Sequence, residues 1–514
     1  MIKIAILLTI CVYLLIVLGI GIYCAKKSNS VDDFYLGGRK LGPFVTAMSA
    51  EASDMSSWLL MGLPGVAYLT GVADAAWTAI GLALGTYINW LIVAKRIRRY
   101  SYVAGNSITV PEFFSKRYHD NKNILMGIAA IFIVIFFIPY TASGFAACGK
   151  LFNSLFGIDY LTAMIVSAIV ILLYTSMGGF LAASTSDFIQ SIIMSFALII
   201  VLVFGVHSAG GVSQVVDNAK DLAGYLSFTN LHNADINTNT SSPYGILSIV
   251  SMLAWGLGYF GMPHILLRFM AIEDENKLKL SRRVASIWVV ISLSVAVVIG
   301  IIGRGISKAG KIPFLEGSAS ETLIVKIADL LSSHGVLAAL IAGVILAGIL
   351  ASTMSTSDSQ LLAASSSVSE NILKGFFKIN ISEKMQIAIA RISVVLISIV
   401  AAFIARNPDS SVFNIVSFAW AGFGAVFGPV VLFALFWRRS NMWGALAGML
   451  SGGVMVFIWK YAIRPMGGLL DIYELLPAFI VASLAIVIVS LLTKAPDKEV
   501  VEEFDAVAKG KVGR

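Results

Sequence analysis

The sequence predicts an all-α integral membrane protein with thirteen transmembrane helices. Of its 514 residues, 58% are hydrophobic and only 13% are charged, whereas about a quarter of the residues in a soluble chain are charged. Apolar stretches long enough to cross about 30 Å of hydrocarbon, which takes roughly 20 residues, recur along the whole chain. Polar or glycine-rich segments interrupt two of these stretches, and their spacing predicts how the helices are arranged.

Thirteen apolar segments are predicted to span the membrane. They cover residues 4–24, 43–70, 76–94, 124–148, 159–180, 188–208, 244–270, 284–303, 335–362, 386–405, 411–436, 442–463 and 472–493. The first is a retained span and not a signal peptide, because its apolar run exceeds a typical h-region and no small-x-small cleavage site follows.

Basic residues are concentrated in alternate loops. With the N-terminus outside, the Lys and Arg of residues 26–40, of KRIRR at 95–99 and of KLKLSRR at 277–283 all lie inside. Because short cytoplasmic loops are rich in Lys and Arg, we predict a multi-pass cell-membrane protein with its N-terminus outside and its C-terminus in the cytoplasm. This distribution explains the net charge of +8, so no nucleic-acid partner is expected.

Four segments are predicted to lie outside the spans. Residues 209–243 and 304–334 form external loops, the second with a short surface helix in SETLIVKIADLLSS. Residues 108–119, ITVPEFFSKRYH, are typical of an interfacial helix with a basic end. The charged tail from 494 to 514 is expected to be mobile.

The second span contains SAEASDMSS, residues 49–57. Ser and Asp compete for backbone hydrogen bonds and disfavour helix interiors, so two half-helices are predicted to meet near Asp54. The outer half would begin near Ser56 and direct its N–H groups at a carboxylate. The inner half would offer unpaired carbonyls to a cation, and both kinds of group suit an amino acid that travels with Na⁺.

The seventh span is also interrupted. Its helix-breaking residues, all within eight positions, are Gly256, Gly258, Gly261 and Pro263. This density predicts an unwound segment, which a membrane tolerates only beside protein or a wet cavity. Trp255 and Tyr259 would share one face there, where they either contact a ligand or simply pack.

The ninth span contains STMSTSDS, residues 352–359. Ser352, Ser355 and Ser359 form one helical stripe, and Thr356 adjoins it. Hydroxyl and carbonyl oxygens suit a hard cation, although a single serine in such a helix usually bonds its own backbone.

The two interrupted spans lie five apart, which predicts two inverted five-helix repeats that each open with a broken helix. The predicted division is 1–42 for the first helix and its loop, 43–243 and 244–437 for the two repeats, 438–493 for two further helices, and 494–514 for the tail.

These motifs resemble the sodium/solute symporter family. The resemblance is carried by SAEASDMSSWLLMGLPG, LAWGLGYFGMPHILLRFMA, MSTSDSQLL, SFAWAGFGAVFGPVVLFALFW and NMWGALAGM, and it extends over nearly the whole chain. It implies a LeuT-like core of ten helices with one helix before it and two after it. It also implies Na⁺ as the coupled ion.

The resemblance implies roles for individual residues. Carbonyls of Ala52, Met55 and Ser352 and hydroxyls of Ser355 and Thr356 would hold Na⁺, and Asp54 would be linked to it. Arg39 matches a functionally sensitive cytosolic arginine. The residues that would line or gate the substrate pocket are Ser56, Ser57, Trp58, Tyr140, Trp255, Tyr259 and Pro263.

Three positions, Asp187, Glu51 and Asp358, bear on a second cation. Asp187 matches a position that helps to bind a second sodium in sodium/sialic acid relatives, although it could simply cap a helix N-terminus. The sequence departs from the family's proline carriers at Glu51, Ser57 and Asp358. Glu51 could be protonated, could pair with a basic group, or could bring a second cation or proton into the cycle.

The function implied by the resemblance is Na⁺-coupled symport of L-proline into the cell by alternating access. The alternative is a Na⁺ or proton symporter of another small organic solute, and the rivals from other classes are an ion channel and a membrane sensor. No enzymatic activity is expected, since no nucleophile is matched with a base. A monomer in the lipid bilayer is expected.

Overall fold

The computed structural model describes residues 1–25, 30–235 and 237–510. The first half of the chain forms α1 (Ile2–Ala25), α2 (Val31–Leu36), α3 (Pro43–Ser57), α4 (Leu63–Thr70), α5 (Val72–Ile88), α6 (Ala94–Val103), α7 (Val110–Arg117), α8 (Ile124–Phe156), α9 (Tyr160–Ser208) and α10 (Val212–Lys220). A short antiparallel pair, β1 (Asn230–His232) and β2 (Ser241–Pro243), follows in the predicted external loop. The basic residues predicted at 26 and 27 and the last four residues of the tail lie outside the described residues.

The second half is helical as well. It forms α11 (Ile246–Leu253), α12 (Pro263–Ala271), α13 (Leu278–Lys308), α14 (Leu323–Ser332), α15 (Val336–Ser366), α16 (Glu383–Ile404), α17 (Val412–Phe436), α18 (Met442–Ile458), α19 (Leu475–Leu492) and α20 (Lys498–Ala508). The all-α prediction is therefore confirmed for the described residues, apart from the small β-hairpin.

Ten of the described helices are long and apolar enough to cross a membrane, or eleven if the bent pair Ile246–Gly261 and Pro263–Ala271 counts as one span. Two predicted spans do not reach this length. The segment 43–70 is divided between α3 and α4, and Tyr160–Ser176 is a shorter apolar helix. The total of thirteen spans and the inverted repeat stay predictions.

The break predicted in the second span lies at Ser56. This residue has φ 50° and ψ −170°, in the left-handed half of φ space that serine seldom adopts. Such a conformation costs on the order of 1–3 kcal/mol and persists only where the surrounding structure enforces it. A π-helical turn, Trp58–Gly62, then leads into α4.

The seventh span breaks between α11 and α12. Residues Ala254–Gly261 form a 3₁₀-helix, Met262 is extended, and the two parts of the span meet at 47°. A side chain at Gly258 would collide with Trp420, and one at Gly261 would collide with the Phe423 carbonyl. Glycine is therefore required here because α17 packs directly on this backbone.

The sixth and fifth predicted spans form one element, α9, which is broken at Gly179 (φ 67°, ψ −173°). Glycine adopts this positive φ without the steric cost that other residues incur. The chain thus changes direction without a connecting loop.

The small-residue stripe of α18 packs inside the molecule. Side chains added at Gly444 and Gly448 would collide with Ser490 and Ile486 of α19, and one at Gly452 would collide with the Ala425 carbonyl of α17. Close packing within the chain, which the GxxxG pattern predicts, therefore accounts for these glycines.

Three predictions about segments outside the spans need correction. The helix in SETLIVKIADLLSS exists as α14, but most of its residues are buried against the bundle, so it is not a surface helix. The tail is not mobile in its described part, because α20 packs on α6 with Val500, Phe504 and Val507 buried. The helix predicted in 108–119 exists as α7, which Thr109 caps, but most of its residues are also buried against the bundle and do not face the membrane interface.

Candidate functional site

The two broken spans meet at Asp54. The Tyr259 hydroxyl, from the 3₁₀ segment, donates a hydrogen bond of 2.6 Å to Asp54 Oδ2. The Tyr140 hydroxyl, from α8, donates at 3.0 Å to the Asp54 carbonyl. Since Asp54 is 4% exposed, its side chain and backbone are held between three elements of the bundle.

Oxygen atoms from α3 and α15 converge one turn away. The Ser355 hydroxyl donates to the Ala52 carbonyl at 2.9 Å, and Thr356 Oγ1 lies 3.5 Å from the same oxygen. Both hydroxyls also lie close to the Ser352 carbonyl, at 3.2 and 3.1 Å. Four of the five residues predicted to hold Na⁺ are thus brought together, and hydroxyl and carbonyl oxygens are the donors that hard cations prefer.

The fifth predicted ligand, Met55, lies at the break itself. Its carbonyl accepts a hydrogen bond from the Trp58 N–H, which also lies 3.1 Å from the Ser56 hydroxyl. Ser56 therefore caps the start of the outer half-helix, which the sequence predicts to begin near this residue. The Ser57 hydroxyl is buried and has no hydrogen-bond partner within the described residues.

A small cavity lies beside Asp54. Its volume of about 10 Å³ is close to the minimum that holds one water molecule. The lining residues are Asp54, Met55, Trp58, Leu82, Tyr140, Trp255, Val416 and Trp420. Three predicted pocket residues, Trp58, Tyr140 and Trp255, therefore line it, whereas Ser56, Ser57, Tyr259 and Pro263 do not.

Aromatic rings close this cavity on one side. The ring centroids of Trp58 and Trp255 are 5.4 Å apart, and Phe413 lies 5.6 Å from Trp58. Tyr473 stacks on Trp255 at 5.2 Å, and the Trp420 indole N–H donates to the Trp255 carbonyl at 2.7 Å. A solute larger than water therefore enters only after these rings separate.

Glu51 has no basic partner within the described residues. Its Oε1 accepts a hydrogen bond of 2.9 Å from the Trp90 indole, and its Oε2 has no described hydrogen-bond partner. The alternative in which Glu51 pairs with a basic group is therefore wrong. A bound proton and a second cation remain as explanations, because an unpaired buried carboxylate is costly.

Asp187 forms a buried ion pair. Arg268 Nη2 lies 3.0 Å from Asp187 Oδ2, and the two side chains are 1% and 0% exposed. Ser49 joins them, since its hydroxyl donates to Asp187 at 2.7 Å and accepts from Arg268 Nε at 2.9 Å. Asp187 lies inside α9, past the break at Gly179, so the helix-cap alternative is wrong.

Asp358 adjoins this ion pair through Ser359. Arg268 Nη2 donates to the Ser359 hydroxyl at 2.5 Å, and that hydroxyl lies 3.3 Å from Asp358 Oδ1. Asp358 Oδ2 is buried and has no described hydrogen-bond partner. The three positions considered for a second cation therefore fall into two separate places, with Glu51 at Trp90 and the other two at Arg268.

Arg39, which lies just before α3, forms hydrogen bonds to α12 and to residues 101–107. Its guanidinium donates to the Met270 carbonyl at 2.6 Å, to the Ser107 carbonyl at 2.8 Å, to Asn106 Oδ1 at 3.0 Å and to the Ser101 hydroxyl at 3.1 Å. Burial and a neighbouring arginine lower the pKa of Arg39 to about 10. Because this value is far above neutral pH, the network stays charged under physiological conditions.

Glu321 also joins separate segments through several hydrogen bonds, at the N-terminus of α17. Its carboxylate accepts from the backbone N–H groups of Val412 and Phe413, both at 3.0 Å, from the Ser411 hydroxyl at 2.8 Å and from Lys150 at 2.7 Å. A carboxylate at a helix N-terminus stabilises the exposed N–H groups and the helix dipole. Glu321 thus links α8 to the N-terminus of α17.

The sequence reasoning missed Arg268, Glu321 and Trp90. An arginine in the apolar run PHILLRF was a usable signal, because a buried guanidinium needs a carboxylate partner. The glutamate and the tryptophan carried no such signal, since both lie in segments where their residue types are common.

Comparisons with known proteins agree over most of the chain. The model of the "Sodium:solute symporter family" matches residues 34–452. The "Sodium/proline symporter" of Salmonella typhimurium is 42% identical over 501 residues, 97% of this chain and 95% of the relative. That of Haemophilus influenzae is 43% identical over 508 residues, 98% and 97% of the two chains. The "Osmoregulated proline transporter OpuE" of Bacillus subtilis is 40% identical over 507 residues, 99% of each chain.

Two solved structures share the fold. A Na⁺-coupled sialic acid symporter, in a substrate-bound outward-open state, superposes with a TM-score of 0.76 at 16% identity and covers 96% of this chain and 99% of its own. MhsT in complex with L-phenylalanine has a TM-score of 0.53 at 15% identity, with 88% and 98% covered. At this identity the likeness concerns the fold alone.

Proposed function

Because the chain belongs to the sodium:solute symporter family, we infer that it carries L-proline into the cell together with Na⁺. The relatives named as sodium/proline symporters from Salmonella, Haemophilus and Escherichia coli are 41–43% identical to this chain, and each alignment covers at least 95% of both proteins. These relatives are transporters, which agrees with the expectation that the chain is not an enzyme. The observation that carries the proposal is the meeting of the Ser355 and Thr356 hydroxyls with the Ala52 carbonyl at the break of the second span.

The coupled ion is proposed to bind among these oxygens. The Ala52, Met55 and Ser352 carbonyls and the Ser355 and Thr356 hydroxyls would hold Na⁺, and they are hard oxygen donors from two different helices. Broken helices supply such carbonyls because their last peptide groups lack helical partners. Ion binding would therefore stabilise α3 and α15 in their present relation.

The substrate is proposed to bind beside Asp54. Its carboxylate would lie at the start of the outer half-helix, near Ser56 and Ser57, where the N–H groups and the helix dipole favour a negative charge. The pyrrolidine ring would pack against Trp58, Trp255 and Tyr140, all of which line the small cavity. Tyr259 would act through its hydrogen bond to Asp54 and Pro263 through the bend that it starts.

We propose that transport proceeds by alternating access around this cavity. Opening outward would require separation of the rings of Trp58, Trp255 and Phe413, and opening inward would require release of the Arg39 network. Each ligand would reduce the ordering cost for the other, and this coupling must be reciprocal in binding free energy. A membrane potential of 100 mV adds about 2.3 kcal/mol per transported charge.

The arrangement proposed for the whole chain keeps thirteen spans, with inverted repeats at 43–243 and 244–437. The N-terminus is proposed to lie outside and the C-terminus in the cytoplasm, because this orientation places the basic loops inside. The protein is proposed to act as a monomer. A second cation at Asp187 would have to compete with Arg268, which makes Glu51 and Asp358 the better candidates for such a site.

The experiment is a counterflow screen with the purified chain in proteoliposomes. Labelled amino acids are offered with Na⁺, Li⁺ or a proton gradient alone, and we expect saturable exchange of L-proline that requires Na⁺. Strong exchange of another solute in place of proline would establish the alternative substrate. Flux that does not saturate would favour a channel, and binding without flux would favour a sensor.

A further inference from the structure

An apolar groove of about 440 Å³ lies between α9 and α13. Met48, Ser195, Leu198, Ile287, Ile291 and Val295 are among its lining residues. We refer to it as the α9–α13 groove. Apart from Met48 of α3, its lining residues belong to two helices that are long and apolar enough to span the membrane, so we infer that the groove opens towards lipid and not towards water.

The groove has apolar side chains at its opening and one side-chain hydrogen bond at its base. Ile287 and Ile291, on its lipid-facing edge, are 61% and 59% exposed. At its base the Trp288 indole N–H donates to the Ser195 hydroxyl at 2.9 Å, so the indole does not need a ligand. An occupant therefore has to be apolar along most of its length.

The length of the groove matches one leaflet. The lining residues of α13 run from Val284 to Val295, and eleven residues rise by about 16 Å in a helix. This is about half of the roughly 30 Å hydrocarbon thickness. An acyl chain of a single lipid therefore has the right dimension.

Unpaired positive charges stand at one end of the groove. Arg283 lies one helical turn before Ile287, and Lys279 lies one turn before Arg283; both are exposed. Neither makes an ion pair with any part of the chain that the structure describes, whereas the neighbouring Lys277 is paired with Glu273 at 2.6 Å. Side chains on a helix lean towards its N-terminus, so both cations reach the headgroup region beyond the apolar groove.

We propose that the α9–α13 groove binds one acyl chain of an anionic phospholipid, whose phosphate contacts Arg283 and Lys279. An apolar groove that ends at unpaired basic side chains complements such a lipid along its whole length. Basic pockets between transmembrane helices are a recurrent form of this recognition. The lipid would link α9 to α13.

The test is native mass spectrometry of the full chain after partial delipidation, with equal amounts of phosphatidylglycerol and phosphatidylcholine added. The wild type is expected to retain phosphatidylglycerol in preference to phosphatidylcholine. The double variant Lys279→Gln/Arg283→Gln should lose this preference, by about fivefold for each basic side chain removed. Ile291→Trp, which fills the groove from its lipid side, should reduce binding of both lipids.

Lys384→Gln is the matched control, since Lys384 is an exposed lysine near the start of another spanning helix, α16, which does not border the groove. It should retain the wild-type preference. An unchanged preference in the double variant would overturn the proposal, as would equal retention of phosphatidylcholine by the wild type. A stable dimer that Ile291→Trp abolishes would assign the groove to a second copy of the chain instead.

Discussion

Tyr259 and Asp54 are joined by a hydrogen bond of 2.6 Å between the phenol oxygen and Oδ2. The phenol belongs to the 3₁₀ segment of the seventh span, and the carboxylate lies two residues before the break of the second span. The second carboxylate oxygen of Asp54 has no hydrogen-bond partner within the described residues. The orientation of Asp54, and with it the backbone at Met55, therefore depends on a residue from the other broken span.

We predict that Tyr259→Phe raises the Na⁺ concentration required for half-maximal proline uptake. The substitution keeps the ring and removes the donor to Asp54, and hydrogen bonds to charged groups contribute about 1.5–3 kcal/mol, or about ten- to a hundredfold in affinity. The measurement is the Na⁺ dependence of proline uptake in proteoliposomes.

Tyr244→Phe is the matched control for this substitution. Its hydroxyl also donates to an aspartate, Asp74, at 2.5 Å, but away from the site. This variant should keep the wild-type Na⁺ dependence. If Tyr259→Phe behaved in the same way, the proposed link between Asp54 and ion binding would have to be abandoned.

Ser355→Ala is expected to weaken Na⁺ coupling while the protein stays folded. The hydroxyl contacts the carbonyls of Ala52 and Ser352, and removal of one oxygen ligand should raise the Na⁺ requirement by about tenfold, as for the loss of a polar contact of about 1.5 kcal/mol. Uptake at saturating Na⁺ should approach the wild-type rate. The measurement is again uptake as a function of Na⁺, at fixed proline.

A serine lower on the same helix separates this effect from a general loss of packing. Ser365 is also buried, and its one hydroxyl hydrogen bond within the described residues is to the Leu362 carbonyl of its own helix, at 2.9 Å. Ser365→Ala should leave the Na⁺ dependence unchanged. Equal shifts in the two serine variants would mean that α15 is being perturbed as a whole and that no ion is bound at Ser355.

Local chemistry made the two breaks predictable. Ser and Asp at residues 49–57 compete with helical hydrogen bonds, and the glycines and proline of the seventh span disfavour a continuous helix, so both interruptions could be located from short windows of sequence. The convergence of Ala52 with Ser355, 303 positions apart, was available only through the family resemblance. The stripe of hydroxyls on the ninth span does not by itself indicate which helix it contacts.

Long-range charge pairing could not be predicted in the same way. Asp187 and Arg268 are 81 residues apart, and no periodicity within either helix indicates the partner. The packing of α20 was also not predicted, although the sequence of the tail contained a pattern that indicates it. Val500, Phe504 and Val507 recur at helical spacing in the tail, but the high charge of the segment favoured the interpretation that it is mobile.

The buried pair of Asp187 and Arg268 leads to a double-mutant prediction. Arg268→Gln leaves an uncompensated carboxylate in the core, and breaking a buried ion pair by removing one partner costs about 3–5 kcal/mol. Arg268→Gln/Asp187→Asn removes both charges and should therefore be more stable than Arg268→Gln alone. The measurement is the midpoint of thermal unfolding of the purified proteins in one detergent.

Additive losses of stability in the two single variants would contradict this expectation. If the double variant loses as much stability as the sum of the two single variants, the side chains do not interact in the folded protein. The comparison also bears on a second cation. Stabilisation of Arg268→Gln by added Na⁺, absent in the double variant, would indicate that the ion can replace the guanidinium beside Asp187.

The C-terminal helix is expected to stay attached through Phe504. The Arg117 guanidinium is fully buried and lies 5.4 Å from the Phe504 ring centroid and 4.8 Å from those of Tyr100 and Tyr118. Phe504→Ala should open this aromatic enclosure, which contributes both burial and cation–π attraction, and should release α20. The measurement is the rate of tryptic cleavage within 498–509 in inside-out membrane vesicles or in detergent, where the wild-type helix is expected to be protected.

Glu502→Ala is the control, because its side chain is 66% exposed and its one ion pair among the described residues is with Lys498 of the same helix, at 3.8 Å. Equal cleavage rates in the two variants would show that Phe504 does not hold the helix, and the Arg438–Asp505 ion pair would then be the contact to remove next.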